Sequence, residues 1–256
     1  MHQSSTAKAL ERRWSGVALL LFLSAVPIFG ATITVTSTND SGPGSLRAAI
    51  ASAANGDTIN FNVAGTIALS TSLTLGPSVH ILGPGESSLT ISGGNAVVVF
   101  IINAGANVFI GGVRITEGSS PVGGGISNYG TLTLANAGVV GNQGTPLGGG
   151  IFNAGNLTII NSAVSFNSVI STTSADDLLG GSSARGGGIY NLGGSLGGTV
   201  TLINSIVQVN TVGTLTVGAL QGNGSGIYND HGTVTLISSS VYANSPPTWA
   251  GASLMA

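Results

Sequence analysis

Gly123-Gly124-Gly125-Ile126-Ser127-Asn128, Gly148-Gly149-Gly150-Ile151-Phe152-Asn153, Gly186-Gly187-Gly188-Ile189-Tyr190-Asn191 and Gly224-Ser225-Gly226-Ile227-Tyr228-Asn229 are four copies of one block. Each copy leads into a glycine turn, a short apolar-Thr-apolar strand, and an Asn or Ser pair. A unit of this length cannot bury its own apolar face, so successive copies must stack on one another. The spacing is 25 residues from Ile126 to Ile151 and 38 for each of the next two steps, to Ile189 and Ile227. The longer periods predict inserted loops rather than lost coils.

Aligned on their turns, the copies predict three strands per coil. The first is Gly-Ile-x-Asn. The second is Leu132-Thr-Leu134, Leu157-Thr-Ile159, Val200-Thr-Leu202 and Val234-Thr-Leu236. The third holds Val139, Val164, Val207 and Val241, each followed three residues on by Asn142, Asn167, Asn210 and Asn244. Alternation sends the flanking aliphatics inward and Thr133, Thr158, Thr201 and Thr235 outward. Weaker copies extend backwards through Ile101-Ile102-Asn103, Val108-Phe109-Ile110 and Val113-Arg114-Ile115. Before them, Thr66–Leu69, Leu73–Leu75, Val79–Leu82 and Leu89–Ile91 keep the same rhythm. The fold expected is all-β: a single-stranded, right-handed parallel β-helix of about seven coils across residues 58–245.

Two asparagine columns follow from the alignment. Asn103, Asn128, Asn153, Asn191 and Asn229 form one, and Asn136, Asn161 and Asn204, closed by Ser238, form the other. Amides stacked at strand spacing hydrogen-bond along the stack, and Asn tolerates the left-handed backbone of tight turns. Both columns are therefore read as structural.

An open first coil would template aggregation, so a cap is expected over residues 31–57. Thr32 to Ser37 alternates like an edge strand, with Ile33 and Val35 on one face. Residues 45–54 read as a helix with Ser45 as N-cap, an apolar stripe of Leu46, Ala49, Ile50 and Ala53, and Asn55-Gly56 as its stop. After the last coil, residues 246–256 (Pro246, Pro247 and Trp249, then small residues) read as a short tail that caps poorly, as in a shortened member of a longer family.

Residues 1–30 read as a signal peptide. Lys8, Arg12 and Arg13 precede an apolar run from Gly16 to Phe29, which is shorter than the roughly 20 residues a spanning helix needs. Cleavage is expected before Ala31, leaving no transmembrane helix. The remaining chain holds three strong bases (Arg47, Arg114, Arg185) against seven acids (Asp40, Asp57, Glu86, Glu117, Asp176, Asp177, Asp230), a net charge of −4. Without a basic patch, nucleic acid is not an expected partner. With no cysteine, neither disulfides nor thiolate metal sites are available. The 42 glycines recur at fixed places in the repeat, which marks turns rather than disorder.

Thr34-Val-Thr-Ser-Thr-Asn-Asp-Ser-Gly-Pro-Gly-Ser-Leu-Arg-Ala-Ala-Ile50, with Gly56-Asp-Thr-Ile-Asn-Phe61, resembles the N-terminal segment of exported bacterial β-helix proteins that carry a Cys-Ser-Leu-Arg-Glu-Ala motif. Gly44 stands where that motif has Cys, and Ala48 where it has Glu. The Gly-Gly-Gly-Ile-x-Asn blocks are similar to the repeats of polymorphic outer-membrane proteins, which are surface adhesins and autotransporter passengers. Together the resemblances imply an exported, extracellular or cell-surface bacterial protein whose partner is a glycan or a cell surface.

Right-handed β-helices also include pectin-cleaving lyases and hydrolases. A lyase needs a strong base beside a calcium-binding carboxylate cluster. Arg114 is the best-placed arginine, but Glu117 alone cannot make such a cluster, and the two read as a solvated surface pair. A hydrolase needs two or three clustered carboxylates. Asp176-Asp177 and His231-Gly232 superficially resemble two hydrolase motifs, but Asn-Thr-Asp and Arg-Ile-Lys have no counterpart. Asp230 and His231 are read as a widened, solvated turn. Outward Thr-x-Thr pairs (Thr131/Thr133, Thr199/Thr201, Thr233/Thr235, with Asn156/Thr158) resemble the faces of ice-binding β-helices, an idea that a thermal-hysteresis measurement tests. No residue is assigned as catalytic, cofactor-binding or metal-ligating. The expected function is non-enzymatic adhesion or glycan contact, with a pectin-cleaving lyase or hydrolase as the alternative. Loops 168–185 and 211–222 lie outside the repeat.

Overall fold

The computed structural model describes residues 30–171, 184–214 and 224–245. The leader expected over residues 1–30, save Gly30, and the tail at 246–256 lie outside the described residues, as do most of the two loops. Every strand pair is parallel, and partners lie one coil apart in sequence. The chain winds as a right-handed parallel β-helix.

Three sheets wall the bore. The long sheet runs Thr32–Val35, Thr58–Phe61, His80–Leu82, Asn107–Gly111, Thr131–Ala135, Asn156–Ile160, Thr199–Ile203 and Thr233–Ile237. Leaving aside the edge strand Thr32–Val35, it has seven rungs, the number of coils expected. A second sheet holds Arg114–Thr116, Gly138–Val140 and Ala163–Ser165, and a third holds Ile126–Asn128, Ile151–Asn153 and Ile189–Leu192. The bore is filled from all three by Ile110, Leu132, Ile115, Val139, Ile126 and Ile151 among others, each essentially inaccessible to solvent. The 38-residue coils stay in register with the 25-residue ones, Ile151 opposite Ile189 and Ile189 opposite Ile227. The longer periods therefore keep the register of the stack.

A fourth sheet was not expected. Ser119–Val122, Gln143–Leu147, Ser168–Ser171 and Thr211–Thr214 pair with one another between the second and third sheets. Three of these strands begin directly after an asparagine, at Asn142, Asn167 and Asn210. Gln143-Gly-Thr-Pro-Leu147 shows no strand alternation, and these strands lie outside the bore, where Val169 and Val212 form a small buried cluster with Ala184.

Two of the three asparagine positions are buried ladders. In the first, the Nδ2 of Asn128 donates to Asn153 Oδ1, that of Asn153 to Asn191, and that of Asn191 to Asn229, at 2.7, 2.7 and 2.8 Å. Asn103 does not belong to it. The residue opposite Asn128 is Ile102, and Leu75 lies beyond, so the column is apolar in the earlier coils and Asn103 is displaced by one position to the surface. The second ladder is Asn142–Asn167–Asn210–Asn244, with amide contacts of 2.9, 3.0 and 2.9 Å. Each of these Nδ2 groups also donates to a strand carbonyl, as Asn167 does to Val139 at 2.9 Å. Each acceptor Oδ1 takes in addition the backbone N–H of the asparagine one coil earlier.

The column Asn136, Asn161, Asn204 and Ser238 is a different device. These residues are exposed, with φ between +47° and +50°. The backbone N–H of each asparagine bonds the next coil (Asn161 to Ile203 O, 3.0 Å), while the side chains face water. They are placed here for their tolerance of the left-handed turn, not for amide stacking.

The cap closes the first coil. The helix Leu46–Ser52 starts at Ser45, whose side chain accepts from the Ala48 N–H. Leu46, Ala49 and Ile50 seal the bore. The helix ends at Ala53, two residues before the expected Asn55-Gly56 stop, because Asp57 takes the N–H groups of Ala54 and Ala31 at 2.8 and 2.6 Å. Arg47 pairs with Asp40 at 2.6 Å and donates to the Thr71 and Ser72 carbonyls, and Ser70 also bonds Asp40. Burial alone would raise the Asp40 carboxyl, but hydrogen bonds from Ser70 and Arg47 outweigh it and hold it below the usual range. Gly44 has φ +75°, and a Cβ there would strike Thr36 Oγ1, so a glycine suits this position.

Replacing Asn167 by Ala strands buried partners on both adjacent coils. At about 1–3 kcal/mol for each unsatisfied group, it is expected to cost about 3–5 kcal/mol in urea unfolding. Asn161→Gly, at an exposed left-handed turn, is expected to change stability by about 0.5 kcal/mol or less. Equal effects from the two would contradict the distinction between the columns.

Candidate functional site

The outward side of the long sheet is the most regular surface of the molecule. Its strands align residue for residue, which generates three columns across the last four coils. Thr131, Asn156, Thr199 and Thr233 form one, Thr133, Thr158, Thr201 and Thr235 the next, and Ala135, Ile160, Ile203 and Ile237 the third. The loop insertions do not disturb this register. Hydroxyls and amides meet along the first column, where Thr199 Oγ1 donates to Asn156 Oδ1 at 2.8 Å. No charged side chain occupies any of these twelve positions. Earlier coils continue the middle column with Phe109, His80 and Thr58.

A second feature lies outside the third sheet, and the sequence reading missed it. The x residues of the Gly-Ile-x-Asn block face outward and stack: Phe152 on Tyr190 with ring centres 5.6 Å apart, and Tyr190 on Tyr228 at 5.4 Å. Tyr129 adds a tilted contact to Phe152. Val122 and Leu147 of the fourth sheet cover the stack, so Phe152 and Tyr190 are buried in a small outer core. The signal was present in the series Ser127, Phe152, Tyr190, Tyr228. A strand position pointing away from the bore shows its burial only once the covering sheet is known.

Charged groups gather at the far end of this stack. The Arg185 guanidinium lies 5.1 Å over the Tyr228 ring, a cation–π arrangement. The Tyr190 hydroxyl donates to Asp230 Oδ2 at 2.7 Å, and Asp230 Oδ1 meets His231 Nδ1 at 2.8 Å. The reading of Asp230 and His231 as a merely solvated turn is thus half right. His231 is 85% exposed with φ +59°, but Asp230 is tied to the outer core.

The other singled-out residues do not converge. Arg114 is exposed on its strand and forms no ion pair with Glu117, which corrects the expected surface pair. Glu117 instead turns back at φ +52° to accept from Ser92 Oγ at 2.5 Å. Asp176 and Asp177 lie outside the described residues. Among the described residues, no three His, Asp or Glu side chains cluster as a metal site would require.

No protein-family model matches the chain, and comparison with curated proteins gives no match. Among solved structures, the chain is similar to the crystal structure of pectate lyase Pel9A, with 15% identity, a TM-score of 0.40, and 84% of this chain and 78% of that chain covered. So loose a likeness bears on neither substrate nor residue roles.

Burial first, and then the hydrogen bond to Asp230, push the Tyr190 phenol from 10.0 up to about 12. The Tyr190 O–H, followed by His231, holds the Asp230 carboxyl below its ordinary range. The stability from Tyr190 is present below pH 10 and is lost as pH rises toward about 12. That from Asp230 is present at neutral pH and is lost as pH falls through its lowered pKa. Tyr190→Phe should remove the phenol that titrates at about 12 from an absorbance titration and let the Asp230 carboxyl move up toward the ordinary carboxylate value by NMR. An unchanged Asp230 titration would contradict the assignment.

Proposed function

We propose that this chain is an exported bacterial β-helix without a catalytic centre, which presents a rigid, uncharged sheet face to glycans or to a cell surface. The observation that carries this reading is the unbroken register of the long sheet, which repeats hydroxyl, amide and methyl groups at strand spacing. A rigid array loses little conformational freedom when it meets an extended, repetitive partner. The basic and apolar leader at residues 1–30 supports export, and the Gly-Gly-Gly-Ile-x-Asn blocks support kinship with surface adhesins. Among the described residues, no helix is long and apolar enough to cross a membrane.

The competing class is a pectin-type lyase, in which Arg114 would be the base, or a pectin-type hydrolase. Binding of the purified chain to whole cells or a glycan array, in parallel with incubation on polyuronides and calcium, separates the two. Adhesion without new unsaturated or reducing ends is expected. Turnover that Arg114→Ala abolishes would overturn the proposal. The same register also supports the ice-binding reading, and thermal hysteresis in the purified chain would shift the assignment to it.

A further inference from the structure

The long sheet bears a concavity at the coil where its Thr column gives way to aromatic residues. We infer that this groove is a subsite for a single ring of a neutral glycan, stacked on Phe109. The subsite rests on the glycan-contact reading and gives it a location and a ligand class.

The groove has a volume of about 320 Å³, and its walls include Leu82, Gly83, Gly85, Phe109, Gly112 and Asn136. Phe109 occupies the middle outward column, in register with Thr133 on one side and His80 on the other. Its ring meets the His80 ring edge-on at 5.9 Å. An outward aromatic needs room to lie flat, and Gly111 provides it. A Cβ at Gly111 would sit 2.8 Å from Phe109 Cε1, so the ring extends over bare backbone where the next coils carry Ala135 and Ile160.

The floor beside the ring is also bare and rigid. Gly83 and Gly112 approach so closely that a Cβ on either would lie 2.3–2.4 Å from the other's carbonyl oxygen. Backbone bonds from Gly83 to Gly111 (2.8 Å) and from Gly85 to Gly112 (2.9 Å) hold that contact. The amide of Asn136 stands exposed at the rim.

This chemistry selects a sugar. A pyranose presents a face of C–H groups that packs on the negative face of an aromatic ring, while its equatorial hydroxyls seek amides and hydroxyls at the margin. Phe109 supplies the first, and Asn136 with the neighbouring Thr133 column supplies the second. No charged side chain lines the groove. The Glu86 carboxylate, close by in sequence, reaches toward Gly138 on the adjoining sheet. With a net negative chain and no cation in the lining, a polyuronide gains nothing here, whereas a neutral glycan leaves no charge unpaired. Beyond the groove, the Thr133, Thr158 and Thr201 hydroxyls advance by about 4.8 Å per coil along the axis.

The test is calorimetric binding of the purified chain to neutral oligosaccharides (gluco-, manno-, xylo-, galacto- and chitin series) and to polygalacturonate. Phe109→Ala and Gly111→Val, which fills the groove, are the variants, and Tyr129→Ala on another face is the control. Circular dichroism and melting temperature confirm folding. Binding to a neutral series is expected, lowered at least tenfold by each groove variant and unchanged by Tyr129→Ala. Neutral-glycan binding that both groove variants leave intact overturns the subsite but not the glycan-contact reading. Binding to polygalacturonate alone overturns the neutral class. No binding to any probe counts against both.

Discussion

Buried asparagine side chains set the conditions for the rest of this molecule. A parallel coil of three short strands satisfies its backbone against neighbouring coils, but at two of its corners the chain turns inside the wall, where water cannot reach its polar groups. Asn128, Asn153 and Asn191 at one corner, and Asn142, Asn167 and Asn210 at another, are fully or almost fully inaccessible to solvent. Each spends its amide on the next coil and on strand carbonyls within reach. A slip of one residue would leave several of these groups unpaired at once, each costing about 1–3 kcal/mol. Register is thereby locked, and register is what makes the outer faces regular.

How far the sequence could be read depended on which side of the wall a residue faces. Inward positions were legible because burial imposes period-two alternation: Leu132 and Leu134, Leu157 and Ile159, and Val200 and Leu202 all lie in the bore where the pattern placed them. Asparagine was harder, because the same residue serves as a buried bridge at Asn153 and as an exposed left-handed turn at Asn161. Only the backbone angle and the burial separate the two uses. Asn103 was misplaced because an apolar residue, Ile102, can fill the corner that an amide fills one coil later. The fourth sheet was illegible because its strands pack outside the bore, where Val169 and Val212 are buried with Ala184, and Gln143-Gly-Thr-Pro-Leu147 carries no alternation that would announce it.

The candidate site was legible only in part. The Thr columns could be read from composition, but their register across 38-residue coils could not, since it follows from the strand pairing on either side of the longer periods. Phe109 looked like one more strand residue. What distinguishes it is the missing side chain at Gly111, whose meaning appears only when the ring is seen lying over it. The aromatic column of Phe152, Tyr190 and Tyr228 likewise depends on the fourth sheet that covers it. Function on such a solenoid therefore follows from departures from the repeat, on a scaffold that the repeat holds still.

Hydrogen exchange of the asparagine side-chain amides, followed residue by residue by NMR, tests the ladder account most directly. The Nδ2 protons of Asn128, Asn153, Asn167, Asn191 and Asn210 should exchange orders of magnitude more slowly than those of Asn136, Asn161 and Asn204, and at a rate close to that of the bore strands beside them. Comparable fast exchange in both sets would contradict the claim that buried amide ladders hold the coils in register.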